Sequence, residues 1–321
     1  MVGVIEMQNQ LYDVVIVGGG AAGLSAALVL GRARRRVAVL DAGAPRNAPA
    51  AHLHGYLSRD GMPPAEFLQI GRAEVQGYGV EIIDGMVATV ERQAGGFTVT
   101  LAGRRAWGRV RQVVARQVGG FTVTLASGGV LAARRLLVTT GLTDELPAIP
   151  GLRERWGRDV LHCPYCHGYE VAGRRLGVLA LLPFATHQAN MIPDWGPTTF
   201  LTNGVVALAA NERAALVARG VAIEEESVTE ILNAGDGLAG VRLADGRTVA
   251  LDALFTGVPT RLASPLAAQL GCAIDDVIGG PIIRVDAMGQ TTVPGVYAAG
   301  DNATMMRASP ARWRAATSWG R

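Results

Sequence analysis

The chain has 321 residues, 49% hydrophobic and 18% charged, with a formal net charge of +3. This length exceeds what one hydrophobic core usually serves, so two domains are expected. The apolar fraction excludes a disordered chain. All 30 basic residues are arginine, which excludes a lysine Schiff base or catalytic amine. Five of them (Arg104, Arg105, Arg109, Arg111 and Arg116) share one acid-free stretch. Without them the net charge falls from +3 to −2. The basicity is therefore local, and no nucleic-acid partner is expected.

The longest apolar run, Val14 to Leu30, contains four glycines. It reads as strand, tight turn and buried helix, so no membrane association is expected. No basic n-region precedes Val14, which predicts a cytoplasmic protein. In chain order, the pattern predicts a strand over Asp13–Val17, a helix from Ala22 to about Gly31 and a strand over Arg36–Leu40. A polar loop, Pro45 to Pro64, then leads to a helix near Ala65–Tyr78. Short strands end at Leu136–Thr139, before the turn Thr140-Gly141. Pro147, Pro150 and Gly151 mark a linker.

A second alternating segment follows, with strands at Arg175–Leu181, Thr198–Thr202, Ala222–Glu224 and Val249–Phe255 and a helix ending near Met191. A last short strand is expected at Ile282–Val285. Domain limits of 1–150, 151–257 and 258–321 follow, the first and last parts forming one discontinuous domain. One internal repeat stands out. The eleven residues from Arg92 to Ala102 recur from Arg116 to Ala126, which reads as a tandem duplication adding one hairpin arm at the surface.

The glycine motif Gly18-Gly19-Gly20-Ala21-Ala22-Gly23 follows the first strand directly. Gly18 serves the tight turn, Gly20 lets a pyrophosphate approach the backbone, and Gly23 allows close helix–strand packing. The helix start offers N–H groups to the phosphates. Asp41, closing the next strand, is placed to accept the hydroxyls of an adenosine ribose. The motif does not by itself distinguish FAD from NAD.

Cys163-Pro164-Tyr165-Cys166-His167-Gly168-Tyr169-Glu170 carries two of the three cysteines. Thiols at this spacing in a non-secreted chain point to redox or metal work. A c-type haem attachment would need export and an axial partner. A zinc site would need a second ligand pair, which Cys272 and the scattered histidines do not make, so no metal is expected. A glutaredoxin-like centre would sit near the start of a smaller domain, and two inert thiols leave His167 unexplained. Cys272 reads as a small buried hydrophobe.

Thr139-Thr140-Gly141 and Val296-Tyr297-Ala298-Ala299-Gly300-Asp301 resemble the two later FAD signatures of flavoprotein disulfide reductases. With the glycine fingerprint and the cysteine pair, the chain resembles the low-molecular-weight thioredoxin reductase family over nearly its whole length. The Cys-Pro-Tyr-Cys-His-Gly-Tyr-Glu run looks closest to the FAD-dependent dithiol oxidases of the gliotoxin and holomycin type. The resemblance implies an α/β fold with two Rossmann-like dinucleotide-binding domains, the FAD domain being discontinuous and the other inserted. It implies FAD as cofactor, Asp301 on a ribityl hydroxyl, and Arg46 and Asn47 in a loop touching FAD. It makes Cys166 the flavin-facing thiol and Cys163 the exchanging one, with His167 as general base oriented by Glu170. It further implies a homodimer and, as partner, a small dithiol substrate or a small thiol–disulfide protein.

Two departures qualify this. After Leu176–Leu179, Ala180 and Leu182 stand where the second fingerprint needs glycines, and Thr202-Asn203-Gly204 replaces the expected arginines. NADPH use is therefore doubtful. The electrons are expected to run from a substrate dithiol through the cysteines to FAD and oxygen. An NADPH-dependent thioredoxin reductase and a non-catalytic flavin-binding protein are the alternatives. Beyond Asp301, Pro310 interrupts the stretch in which the family covers the flavin and builds its dimer. His52 and His54 read as solvated loop residues, and His187 as structural.

Overall fold

The computed structural model of the protein describes residues 11–93, 96–102, 121–124 and 130–304. The arginine-rich stretch from Arg104 to Arg116 and the segment around Pro310 lie outside them. Two compact units result: residues 1–46, 65–143 and 262–321 form the first, and 47–64 with 144–261 form the second. The chain thus crosses between units seven residues before the expected limit of 150 and four after 257. The loop 47–64 goes with the second unit, although its sequence position had suggested the first.

The first unit is built on an eight-stranded sheet. Its elements are β1 (Leu11–Val17), α1 (Ala21–Arg32), β2 (Val37–Asp41), α2 (Pro64–Gln76), β3 (Glu81–Asp84), β4 (Met86–Gln93), β5 (Gly96–Ala102), β6 (Phe121–Thr124) and β7 (Val130–Val138). The strand order is β3-β2-β1-β7-β6-β5-β4, and the late strand Val296–Ala298 also pairs with β7. β1, β2, β3 and β7 run parallel. In β1 and β2, Val15, Val17, Ala38 and Leu40 face one core and Val14, Ile16, Val37 and Val39 face another. Burial on both faces explains why these strands read as continuous apolar runs rather than alternating ones. Each such side chain contributes roughly 1.5–3 kcal/mol. Cys272 is buried in the first of these cores, its thiol pushed up by desolvation.

The duplicated segment appears here in an unexpected form. β5 and β6 pair in parallel, with Thr98 against Thr122, Val99 against Val123 and Thr100 against Thr124. These are the equivalent residues of the two copies. The duplicate therefore adds one strand, but not as the neighbouring arm of an antiparallel hairpin. β5 keeps its antiparallel partner β4, and β6 takes the antiparallel place beside β7.

The second unit holds a five-stranded parallel sheet and a three-stranded antiparallel one. Its elements are β8 (Val160–Leu161), α3 (Pro164–His167), β9 (Leu176–Leu179), α4 (Ala185–Met191), β10 (Thr198–Leu201), α5 (Ala210–Ala218), β11 (Ala222–Glu224), β12 (Val228–Ala234), β13 (Gly237–Leu243), β14 (Thr248–Ala250) and β15 (Ala253–Phe255). The parallel order is β11-β10-β9-β15-β8. The single strand expected over Val249–Phe255 is two. β14 pairs antiparallel with β13, β15 pairs parallel with β9, and one unbroken strand cannot serve both sheets. Asp252, between them, accepts hydrogen bonds from the backbone and side chain of Arg175, each 2.9 Å. The final expected strand is displaced to Gly280–Ile283, where it pairs with Ile274–Val277.

Candidate functional site

In the first unit, β1 ends in the glycine turn. Gly18 has φ +114°, and a Cβ there would lie 2.3 Å from Thr139 O. A Cβ on Gly23 would lie 1.9 Å from Gly18 O, so the helix–strand contact requires glycine. Around Gly20, by contrast, nothing lies within 4 Å of an added Cβ. Thr139 clamps the turn, its hydroxyl donating to Gly18 O at 2.8 Å and Val17 O at 3.1 Å. Thr140 and Gly141 follow it directly at the end of β7, and Ala22 lies against Gly300.

Asp41 accepts the Gly19 N–H at 3.2 Å and pairs with Arg72 Nη1 at 2.8 Å. Arg72 comes from α2 and gave no signal in the sequence. Arg46 Nη1 lies 3.1 Å from Asp301 Oδ2, joining two residues 255 positions apart. Asn302 is fully buried, its amide donating to Val138 O while its Oδ1 has no partner among the described residues. Asn47, expected beside this group, belongs to the second unit.

The cysteine pair lies wholly in the second unit. Cys163 precedes the single turn α3, and its carbonyl accepts the Cys166 N–H at 3.2 Å. Pro164 at the first helical position favours that turn. The two sulfurs approach to 2.8 Å. Gly168 must be glycine here, because a Cβ would meet the Trp195 indole at 2.7 Å. Tyr165 and Tyr169 flank the pair and are 69% and 86% exposed, leaving aromatic surface beside the thiols.

Glu170 does not orient His167 as expected. Its Oε1 lies 3.4 Å from Nε2 of His54, and no hydrogen bond or ion pair joins it to His167. His54 also places Nδ1 3.5 Å from Asp60 Oδ2, and its ring meets the His167 ring edge-on at 6.1 Å. Burial, reinforced by the nearby His54 and opposed by Glu170, lowers the His167 pKa below its ordinary value. His54 and Asp60 are thus site residues that the motif alone did not assign. Among the described residues no group of three or more His, Cys, Asp or Glu could hold a metal ion. No helix there is long and apolar enough to cross a membrane.

At the C-terminal ends of β9 and β15 the sheet order reverses direction, the place where such sheets take nucleotide. A Cβ on Gly257, just past β15, would meet the Phe184 ring at 3.4 Å and a Leu182 methyl at 3.8 Å. The side chain of Asn203, after β10, bonds Ala180 O at 3.2 Å and Val228 N at 2.8 Å. The next arginine, Arg213, pairs with Glu225.

Comparison with known proteins fits this arrangement. Residues 12–177 and 204–320 match the family described as "Pyridine nucleotide-disulphide oxidoreductase". The chain belongs to that family. Thioredoxin reductase tcpT of Claviceps purpurea is 30% identical over 94% of this chain and 90% of its own length. Thioredoxin reductase sirT of Leptosphaeria maculans is also 30% identical, over 92% and 88%. An oxidoreductase from Agrobacterium tumefaciens superposes with a TM-score of 0.84 at 41% identity, covering 97% of this chain and 96% of that one. HlmI superposes at 0.79 with 42% identity, covering 96% and 89%.

The protein is therefore an oxidoreductase with the thioredoxin reductase-like α/β fold. The family uses FAD, with NADPH as its usual second cofactor. The first unit's residues fit FAD. The open space at Gly20, between the closed contacts of Gly18 and Gly23, admits a pyrophosphate, and the Asn302 oxygen is a buried acceptor awaiting a donor.

Proposed function

We propose that this protein is a dithiol oxidase, forming a disulfide in a small substrate dithiol with oxygen as the terminal acceptor. The observation that carries the reading is the pair Leu182 and Phe184 lying over Gly257 at the switch point of the second sheet. A nucleotide pyrophosphate needs that backbone bare. Asn203 is turned inward and Arg213 is engaged by Glu225. Each missing charge-assisted contact to a 2′-phosphate costs on the order of 1.5–3 kcal/mol.

The chemistry starts from a Cys163–Cys166 disulfide. His167 takes the proton of a substrate thiol, and the thiolate attacks Cys163 Sγ, expelling Cys166 as a thiolate. The second substrate thiol then attacks the substrate sulfur of the mixed disulfide, its proton passing to the departing Cys163 thiolate. It releases Cys163 and closes the product disulfide. The substrate loses two electrons and two protons, and the cysteine pair gains the two electrons. FAD, when bound, supplies the acceptor that takes those electrons on to oxygen, which becomes peroxide. In this reading Gly18, Gly20, Ala22, Gly23, Asp41, Arg46, Thr140, Gly141, Gly300 and Asp301 hold the cofactor, with Arg72 positioning Asp41. Tyr165 and Tyr169 offer aromatic surface to a compact, cyclic dithiol of the gliotoxin or holomycin kind. A cytoplasmic homodimer completes the reading.

The names of the curated relatives favour a second reading, an NADPH-dependent thioredoxin reductase. Oxygen uptake by the flavin-loaded protein separates the two. The oxidase reading expects one oxygen consumed and one peroxide formed per dithiol oxidised, without NADPH. Turnover that needs NADPH and an oxidised protein disulfide, with dithiols inert, would overturn it.

A further inference from the structure

The loop 47–64 brings one side chain to the thiol-exchange centre that no motif assigns. Two backbone bonds pinch the loop, Gly61 N to Leu53 O and Leu53 N to Met62 O, both 2.9 Å. Asp60 closes it further by accepting the Gly55 N–H at 2.8 Å, which holds its carboxyl below the usual range. His54 sits inside this pinch with its side chain 17% exposed, against 66% for Asp60 and 40% for Glu170. A loop built only for solvent has no reason to bury an imidazole between two carboxylates.

The neighbouring histidine is treated oppositely. His167 is on the same short run as Glu170, three residues away, yet the carboxylate points to His54. His54 and Glu170 both act on His167, and the Cys166 thiol is its neighbour in the chain. Those facing His54 are Asp60, Glu170, His167 and His52, the last with its ring 6.2 Å away. A carboxylate delivered to His167 would favour its imidazolium. An imidazolium cannot take a proton from a thiol.

We propose that His54 is a positioning residue of the thiol-exchange centre. By holding the Glu170 carboxylate on its own Nε2, it keeps that carboxylate out of hydrogen-bond reach of His167, whose imidazole is left to meet the substrate thiol. The inference rests on the reading of His167 as the base.

The test is the pH profile of thiol exchange. The full-length protein, its Cys163–Cys166 pair oxidised beforehand, is reacted with dithiothreitol from pH 5 to 9. The thiols formed are counted by mass after alkylation. His54→Gln is expected to move the acid midpoint upward by ~0.5–1 pH unit while the plateau rate holds. Adding Glu170→Gln to it should bring the midpoint back down, because the freed carboxylate is then gone. Asp60→Asn, on the exposed side, is expected to give a smaller shift in the same direction, and it carries the test if His54→Gln does not fold. An unmoved midpoint in the variant that folds overturns the proposal, as does a double variant whose midpoint stays at that of His54→Gln. His167→Gln separates this from the base assignment. If His167→Gln keeps the parental acid limb, that assignment fails, whatever the His54 variants do.

Discussion

Each unit has a sheet in which a central strand ends in a turn that opens a helix, β1 into α1 and β9 into α4. In the first turn, Gly18 and Gly23 are held against backbone at 2.3 and 1.9 Å from their would-be Cβ atoms, while Gly20 is left open. The second has Phe184 and Leu182 against Gly257, 3.4 and 3.8 Å from its would-be Cβ. The helix behind the first turn has 12 residues and the helix behind the second has 7. The same strand plan thus carries one turn shaped for a ligand and one filled by its own side chains. Strand order and burial preserve a domain's architecture, whereas ligand capacity depends on a few positions at the carboxyl ends of the strands.

The largest effect expected from breaking this contrast is at the redox pair. Cys163→Ser or Cys166→Ser should lower dithiol turnover about a thousandfold or more, with flavin content unchanged, as read by peroxide formation and absorbance. Next comes the closed turn: Gly23→Val should yield protein without bound flavin, because its side chain would overlap Gly18 O. Gly20→Ala sharpens the comparison. Its methyl meets no protein atom, so the flavin-free protein should melt within a few degrees of the parent, while FAD affinity drops about tenfold.

Opening the second turn with Leu182→Gly and Phe184→Ala should have a smaller effect. Weak NADPH binding appears by calorimetry, two- to tenfold above the parent, and still without a 2′-phosphate grip. The smallest change is expected from deleting residues 103–126. This removes one copy of the repeat and lets β5 take the place of β6 beside β7. Melting temperature and flavin content should stay close to the parent values.

The first turn was legible because its signals are local. The helix expected over Ala22–Gly31 is Ala21–Arg32, and the strand expected over Asp13–Val17 is Leu11–Val17. The cysteine motif was legible for the same reason. Arg72 and His54 were not, since they act across 31 and 116 positions through contacts that only the packed loop and helix create. Glu170 shows the limit from the other side. Its spacing suggested a partner for His167, and the loop 47–64 supplied a competing one. The parallel pairing of β5 and β6 likewise escaped, because adjacency in sequence suggested a hairpin and the connection between the copies is long.

The central claim is that electrons enter from a dithiol and not from a pyridine nucleotide. It is tested most directly by anaerobic absorbance of the flavin-loaded protein with NADPH in one cuvette and a dithiol in another. The account predicts bleaching by the dithiol alone, with colour and peroxide returning on admission of air. Rapid bleaching by NADPH would contradict it.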